Sequence, residues 1–369
     1  MAHILMTLLL STSFALAQAS EEKSELPSQV DLIYMRRLTP LYGAITLDDL
    51  ARLEVLDLSG TSLNDPGMIH LQKLVKLKKL SIAGTVVGDV GIESLRFLKG
   101  LESLDLSGTR VSHVGLSGIK GLKELRSIQL QGTPMSDLGL FYLKAFPKLD
   151  RLILTSTRIT NLGLERLGEI KSLSELDLSS TSITDPGLVY LTRLKSLRTL
   201  LLNNTKVTWK GLAAVAAMER LESLEISRTS VDDDVELLRA FANLRRLDLS
   251  KTEIGDLGLS RLCDQQKVTK LEWLNLSRTK ITDQGLVPLE SLPGLKSLYL
   301  YGDAITNKGI ASLQRMKNLE SVNLGRTEIN DQAIDELIQM TKLKVLVLSE
   351  TRISKAGMQR ISGKLNGIK

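Results

Sequence analysis

Leucines return along this chain at one fixed interval. Aligned on Leu-x-x-Leu-x-Leu, units start at Leu53, Leu77, Leu101, Leu125, Leu149, Leu173, Leu197, Leu221, Leu244, Leu271, Leu295, Leu319 and Leu343. The spacing is 24 residues, except that the unit from Leu221 has 23 and the unit from Leu244 has 27. Thirteen units therefore fill residues 53–366 without a linker, and such self-similarity predicts a solenoid rather than separate domains. Each unit has two halves. In LSELDLSST (173–181), Leu176 and Leu178 alternate with Glu175, Asp177 and Ser179, the period of a strand with one buried face. Leu188, Leu191 and Leu194 then recur at helical spacing.

The stretch between the halves, TSITDPGL in this unit, predicts a helix start. Thr184 is a good N-cap, Asp185 suits the positive end of the helix, and Pro186 tolerates its first turn. Ile183 and Leu188 form a hydrophobic staple. Gly187 and its counterparts sit in the first turn, where Gly costs up to about 1 kcal/mol against Ala; close packing on the adjacent unit is the expected compensation. A threonine opens each loop (Thr61, Thr85, Thr109 and onward), Asp303 being the exception. Its hydroxyl is expected to bond turn backbone of the neighbouring unit while its methyl packs inward.

Composition agrees with a repeat protein. The chain has 369 residues, 4% aromatic, with one cysteine, Cys263; a lone thiol excludes an internal disulfide framework and any zinc site built from several thiolates. The formal charge of +6 is too mild to imply nucleic acid by itself.

The pattern L-x-x-L-x-L-x-x-T-x-I-T-D-x-G-L resembles the leucine-rich repeats, specifically their cysteine-containing, ribonuclease-inhibitor-like subclass, with Thr standing where that subclass has Cys or Asn. Exported bacterial repeat proteins carry similar Thr-bearing units, and F-box adaptors carry the Cys form. The resemblance implies an α/β fold: a right-handed leucine-rich-repeat solenoid, or horseshoe, with a parallel sheet on the concave face and helices on the convex face. Spacing agrees, since strands stack about 4.8 Å apart whereas helices need about 10 Å.

At the ends, residues 1–19 read as a signal peptide, with an apolar run from Ile4 to Leu10 and two A-x-A sites at Ala15–Ala17 and Ala17–Ala19. A retained apolar anchor is the alternative. Export to a secreted or periplasmic location follows from the first reading, with no membrane span left after cleavage. Residues 20–52 form a charged lead-in and a helical cap: SQVDLIYMRRL is amphipathic, and ITLDDL (45–50) repeats the staple and cap as a degenerate zeroth unit. Residues 367–369 are a tail.

Candidate chemistry is sparse. His70 and His113 lie in different units without a second ligand at metal spacing, and Cys263 has no histidine nearby in sequence. No phosphate-binding glycine loop is present. Asp232, Asp233 and Asp234 have the composition of a calcium site, but a capped helix start explains them more simply. The expectation is no catalytic residue, no metal and no cofactor.

A partner is expected at the variable positions that point out of the sheet: the third, fifth, seventh and eighth of each unit. Early units look bland there, with Ser59-Gly60, Ser107-Gly108 and Gln131-Gly132. From the eighth unit on, Arg228, Lys251, Arg278 and Arg326 occupy the eighth position as a basic row. Trp273, Tyr299 and Tyr301 project from two adjacent strands, with Arg246 one strand away; Trp, Tyr and Arg together are the composition of a binding hot spot. Glu225, Asp248 and Glu253 partly neutralise the row. The insertion CDQQKVTK (263–270) lies beside it. Val345 and Val347 are a second outward apolar candidate, for packing under the tail or for self-association through the C-terminal unit. Two glycosylation sequons, at Asn203 and Asn275, fall on the sheet face and would block it, which favours a bacterial source or unused sites.

The expected function is a non-catalytic exported scaffold that binds a protein or glycan partner, acidic in character, on its concave face through units 8–11. The alternatives are an F-box-like substrate adaptor, for which residues 20–52 are too short to hold the extra helical module, and a repeat-type enzyme inhibitor, whose acidic surface this chain lacks. Nucleic acid is not expected, because the basic row has no groove-reading element.

Overall fold

A computed structural model describes residues 26–39, 41, 43–234, 241, 243–263, 268 and 270–364; the segment read as a signal peptide, most of the insertion and the C-terminal tail lie outside these residues. Thirteen strands form one open parallel sheet whose order follows the chain. Each has three residues with the central one buried, from β1 (Val55–Asp57) through β8 (Ser223–Glu225), β9 (Arg246–Asp248), β10 (Trp273–Asn275), β11 (Ser297–Tyr299) and β12 (Ser321–Asn323) to β13 (Val345–Val347). The register pairs equivalent positions, Leu56 with Leu80 at one end and Val322 with Leu346 at the other. Helical turns cover the other face. Some are an α-helix alone, as in Asn161–Leu167 and Trp209–Ala216, and others mix α and 3₁₀ turns, as in Asp185–Leu188 followed by Val189–Arg193. Between the layers runs one continuous core of leucine and isoleucine, to which Ile183 and Leu188, the predicted staple, both belong.

The Asp of the repeated helix start has a role that reaches beyond its own unit. Asp185 accepts from the Thr208 N–H and hydroxyl, both at 2.7 Å. Asp256 does the same to Thr282 at 2.8 and 2.5 Å, and Asp283 to Thr306 at 2.8 and 2.6 Å. Asn161 and Asn307 keep the pattern with amides. Each carboxylate lies over the first-turn glycine of the next unit. A Cβ on Gly91 would fall 2.6 Å from Asp65 Oδ1, and one on Gly309 the same distance from Asp283 Oδ1. Asp and Gly are therefore one device, a clasp between units.

The predicted cap is only partly realised. Thr160, Thr208 and Thr282 each accept from the N–H two residues on. Thr184 cannot, because that residue is Pro186, which has no N–H. His113 replaces the clasp Asp in the third unit, and no bond from it to Ser136 forms. Its place over Gly139 is taken by the Met135 thioether. Trp209 replaces Asp in the seventh unit, buries its indole and donates its N–H to the Asp232 carbonyl at 2.6 Å.

Most of the loop threonines are buried, and except at Thr279 their hydroxyls bond within their own unit, not the neighbouring one. Thr85 donates to the Ile82 carbonyl at 2.8 Å, Thr181 to Leu178 at 2.5 Å and Thr229 to Ile226 at 2.6 Å. The three-residue reach of a turn is simply shorter than the step to the next unit. Asp303 breaks the series. It is 4% exposed, its Oδ1 accepts from the Thr279 N–H at 2.7 Å and hydroxyl at 3.2 Å, and its Oδ2 has no hydrogen-bond partner among the described residues. Burial pushes its carboxyl up to about 7.

At the N-terminal end, α1 (Gln29–Leu38) and the short α2 (Leu47–Ala51) each begin with a capping box, Ser28 with Asp31 and Thr46 with Asp49. Leu32 and Met35 close the core, Asp31 bonds His70 Nδ1 at 2.8 Å, and Tyr34 stacks on the His70 ring with centroids 4.2 Å apart. His70 is thus a packing residue of the cover. At the other end Val345 is 38% exposed on an open sheet edge.

Two stability outcomes follow. Gly211→Ala places a methyl 2.6 Å from the Asp185 Cα, so it should cost about 1–3 kcal/mol of stability instead of gaining the usual helix increment of about 1 kcal/mol; thermal unfolding followed by circular dichroism measures this. For Asp303, the folded carboxyl holds its proton up to about 7 while an unfolded one releases it near 3.8. Stability contributed at low pH is therefore lost as pH rises through that window. Asp303→Thr should raise the melting temperature at pH 8 and flatten its dependence between pH ~4 and ~7; an unchanged pH profile would show that this carboxyl titrates normally.

Candidate functional site

Turn geometry sets where the variable side chains go. Three residues past each strand segment, the eighth position adopts a left-handed conformation: φ is 66° at Gly108, 55° at Arg228, 57° at Lys251, 58° at Arg278 and 54° at Arg326. The glycines of the early units are thus demanded by the backbone, a reason that reading them as bland overlooks. A residue with a Cβ costs about 1 kcal/mol or more in this region, and the later units carry that cost at every eighth position but Gly302. The row is also fixed by the sheet, since the Arg278 N–H donates to Tyr301 O at 2.8 Å and that of Arg326 to Ser349 O at 2.8 Å. All four cationic side chains of the row are exposed.

On the open face of β8 to β11 the first cluster assembles. Strand register sets Trp273 beside Arg246. The guanidinium carbon of Arg246 lies 3.4 Å from the Trp273 ring centroid, and Arg246 Nε donates to Glu225 Oε1 at 3.1 Å. On its far side Trp273 meets Tyr299, with ring centroids 5.1 Å apart at an angle of 43°. Both rings are half-buried and outside the core. Carboxylate, guanidinium, indole and phenol thus run across four strands.

The second cluster surrounds Gly302. Arg278 stands over the Tyr301 ring at 5.4 Å. A Cβ on Gly302 would lie 3.2 Å from Arg278 Cγ and 4.0 Å from Arg326 Cδ, so two arginines bracket this glycine. Tyr301 crosses the next unit over Gly325, where a Cβ would fall 2.8 Å from its ring, and donates its hydroxyl to Glu350 at 2.8 Å. Gly302, Gly325 and Glu350 are members that sequence reasoning missed; glycines at two outward positions beside Tyr301 were the available signal. Arg228 and Lys251 continue the row away from the aromatic rings.

Other candidates fall elsewhere. Glu253 pairs with Lys280, at 2.8 Å, rather than with the row, and Asp248 bonds Ser250 and Asn275. Asp233 Oδ1 accepts from the Gly255 and Gly258 N–H groups at 2.6 and 3.0 Å, which makes the acidic run a clasp. Among the described residues no group of three His, Cys, Asp or Glu is placed to hold a metal ion, and no helix is long and apolar enough to cross a membrane. Cys263 is buried.

Comparison with known proteins bears on the repeat and the fold. A family model described as Leucine Rich repeat matches residues 170–191, 242–263 and 269–289. No curated protein matches the chain in sequence. Among solved structures, an internalin (inlF) from Listeria monocytogenes is similar with a TM-score of 0.60 at 21% identity, covering 81% of this chain and 88% of that one. The functional domain of InlJ from the same organism gives 0.53 at 17% identity, over 83% of this chain and 65% of that one. A chain of the octameric complex of latrophilin 3, Unc5D and FLRT2, the last contributing leucine-rich repeats, gives 0.51 at 18% identity over 76% and 83%. At these identities the likeness is one of fold. By repeat and by architecture this chain carries leucine-rich repeats in a solenoid similar to that of the internalins.

Proposed function

We propose that the chain is an exported, non-catalytic interaction scaffold whose concave face, in units 8–11, holds an acidic segment of a protein partner. The observation that carries this reading is the paired clusters: a Trp273–Tyr299 platform beside two arginines that bracket Gly302. The platform supplies desolvated apolar area, and Arg278 and Arg326, with Lys251 and Arg228 along the row, supply fixed donors for carboxylates. A protein fits better than a glycan, because Arg246 already covers one face of the Trp273 ring that a sugar would stack on. Fold supports the class of function, since one relative of similar architecture is a component of a multi-protein complex. Export rests on the N-terminal segment alone. No observation favours the F-box-like adaptor or the enzyme inhibitor.

The test begins with affinity capture and crosslinking from the exported fraction. Against the captured partner, Trp273→Ala should weaken binding by ten- to a hundredfold. Arg278→Ala should lower the association rate and its salt dependence. Unchanged affinity in both variants, with melting curves intact, would remove this face from the interaction.

A further inference from the structure

A second surface lies on the opposite half of the solenoid, outside the sheet. In six successive units the residue between the clasp Asp (or its substitute) and the glycine is apolar: Pro66, Val90, Val114, Leu138, Leu162 and Pro186. All six are exposed, with Val90 at 76%, Leu138 at 66% and Leu162 at 80%. From the seventh unit on the position turns mostly polar, with Lys210, Gln284, Lys308 and Gln332. The scaffold therefore accepts lysine and glutamine there, and nothing in the fold asks for leucine.

The six form one ridge. Isolated parallel bridges pair Gly88 with Arg110, Ser136 with Arg158 and Thr160 with Ser182 just ahead of this position, which keeps successive units in step along the ridge. Phe141 and Val189, 59% and 53% exposed, widen the ridge on its helical side. Eight exposed apolar side chains in one band are more than monomers usually leave bare and suit a partner surface.

We propose that this ridge is a homodimer interface, occupied by the same ridge of a second copy. Charge selects this occupant. Arg110 and Arg158 flank the ridge on the side of the sheet, Glu93 and Glu165 flank it on the helical side, and all four are exposed and form no ion pair among the described residues. A two-fold axis along the ridge lays Leu138 on Leu138 and Leu162 on Leu162. It also sets Arg158 of each copy against Glu165 of the other, as an isologous contact requires. The concave residues take no part, so this inference stands apart from the proposed partner site.

The experiment is light-scattering mass measurement of the purified chain over a concentration series into the high micromolar range. The expected result is a dimer mass that falls to monomer in Leu138→Lys/Leu162→Lys, with the dissociation constant raised at least about tenfold. These substitutions copy what Lys210 and Lys308 already do, and an unchanged melting curve would show that folding is intact. Arg158→Glu should weaken the dimer and Arg158→Glu/Glu165→Arg should restore it. A wild-type chain that stays monomeric, a dimer indifferent to the lysines, or a charge swap that restores nothing would each overturn the proposal.

Discussion

A parallel strand fixes its neighbour at about 4.8 Å, and every other contact between units must meet that pitch or diverge from it. Divergence on the helical side is what bends the solenoid, because packed helices need about twice the distance. The clasp sits where the two requirements meet. At the helix start the backbone still forms parallel bridges, such as Thr160 with Ser182, so a carboxylate from one unit reaches the N–H of the next only if nothing stands between. Glycine supplies that absence, and this is why Asp and Gly recur together. Short 3₁₀ turns follow from the same crowding, since a full α-helix in every unit would demand more lateral room than the sheet's pitch leaves near the clasp.

Much of this was legible in the sequence, for a reason that also sets its limit. Unit boundaries, strand phase and the outward set that includes Trp273, Tyr299 and Arg246 depend only on period, and period is visible in a single chain. Contacts across units are less visible, because they join residues more than 20 positions apart. Letters alone point the Thr85 hydroxyl to the neighbouring unit and Asp185 to its own helix; the structure corrects the first and extends the second across units. The left-handed turn is different. Gly60, Gly84, Gly108 and Gly132 stand at one position in four successive units, and only glycine takes φ near 67° without cost. That signal was present in the letters. So was the alternating sign of the second residue in later units, where Glu222 faces Arg198, Glu272 faces Arg245 and Lys296, and Lys344 faces Glu320. Exposed pairs of this kind add little energy singly, but they disfavour a slipped register.

Backbone strain runs through the half of the chain that carries the proposed partner face. A turn that glycine enters freely is held by arginine, lysine or glutamate in units 8–10, 12 and 13, and the cost is met by the sheet bonds that fix each turn. Gly302 stands in the middle of that row and keeps the space between Arg278 and Arg326 open. Asp303 follows directly, a buried carboxyl where the fold prefers threonine. Deviations from the repeat thus gather around one turn, the pattern expected where positioning outweighs stability.

Nearest-neighbour coupling lets such deviations accumulate without spreading. Each unit of a solenoid contacts only its neighbours, so a change of surface character in one half leaves the packing of the other intact. Here the change falls at the seventh unit. Trp209 takes the place of the clasp Asp, Lys210 ends the apolar ridge, and one unit later Arg228 begins the basic row. Ridge and concave clusters therefore occupy different faces and different halves, separated by a unit whose irregularity is absorbed by a buried indole bonded to Asp232. Two copies joined along the ridge would keep both sheet faces open, and a partner with two acidic segments would then meet two sites held at a fixed separation, which raises avidity without any new contact.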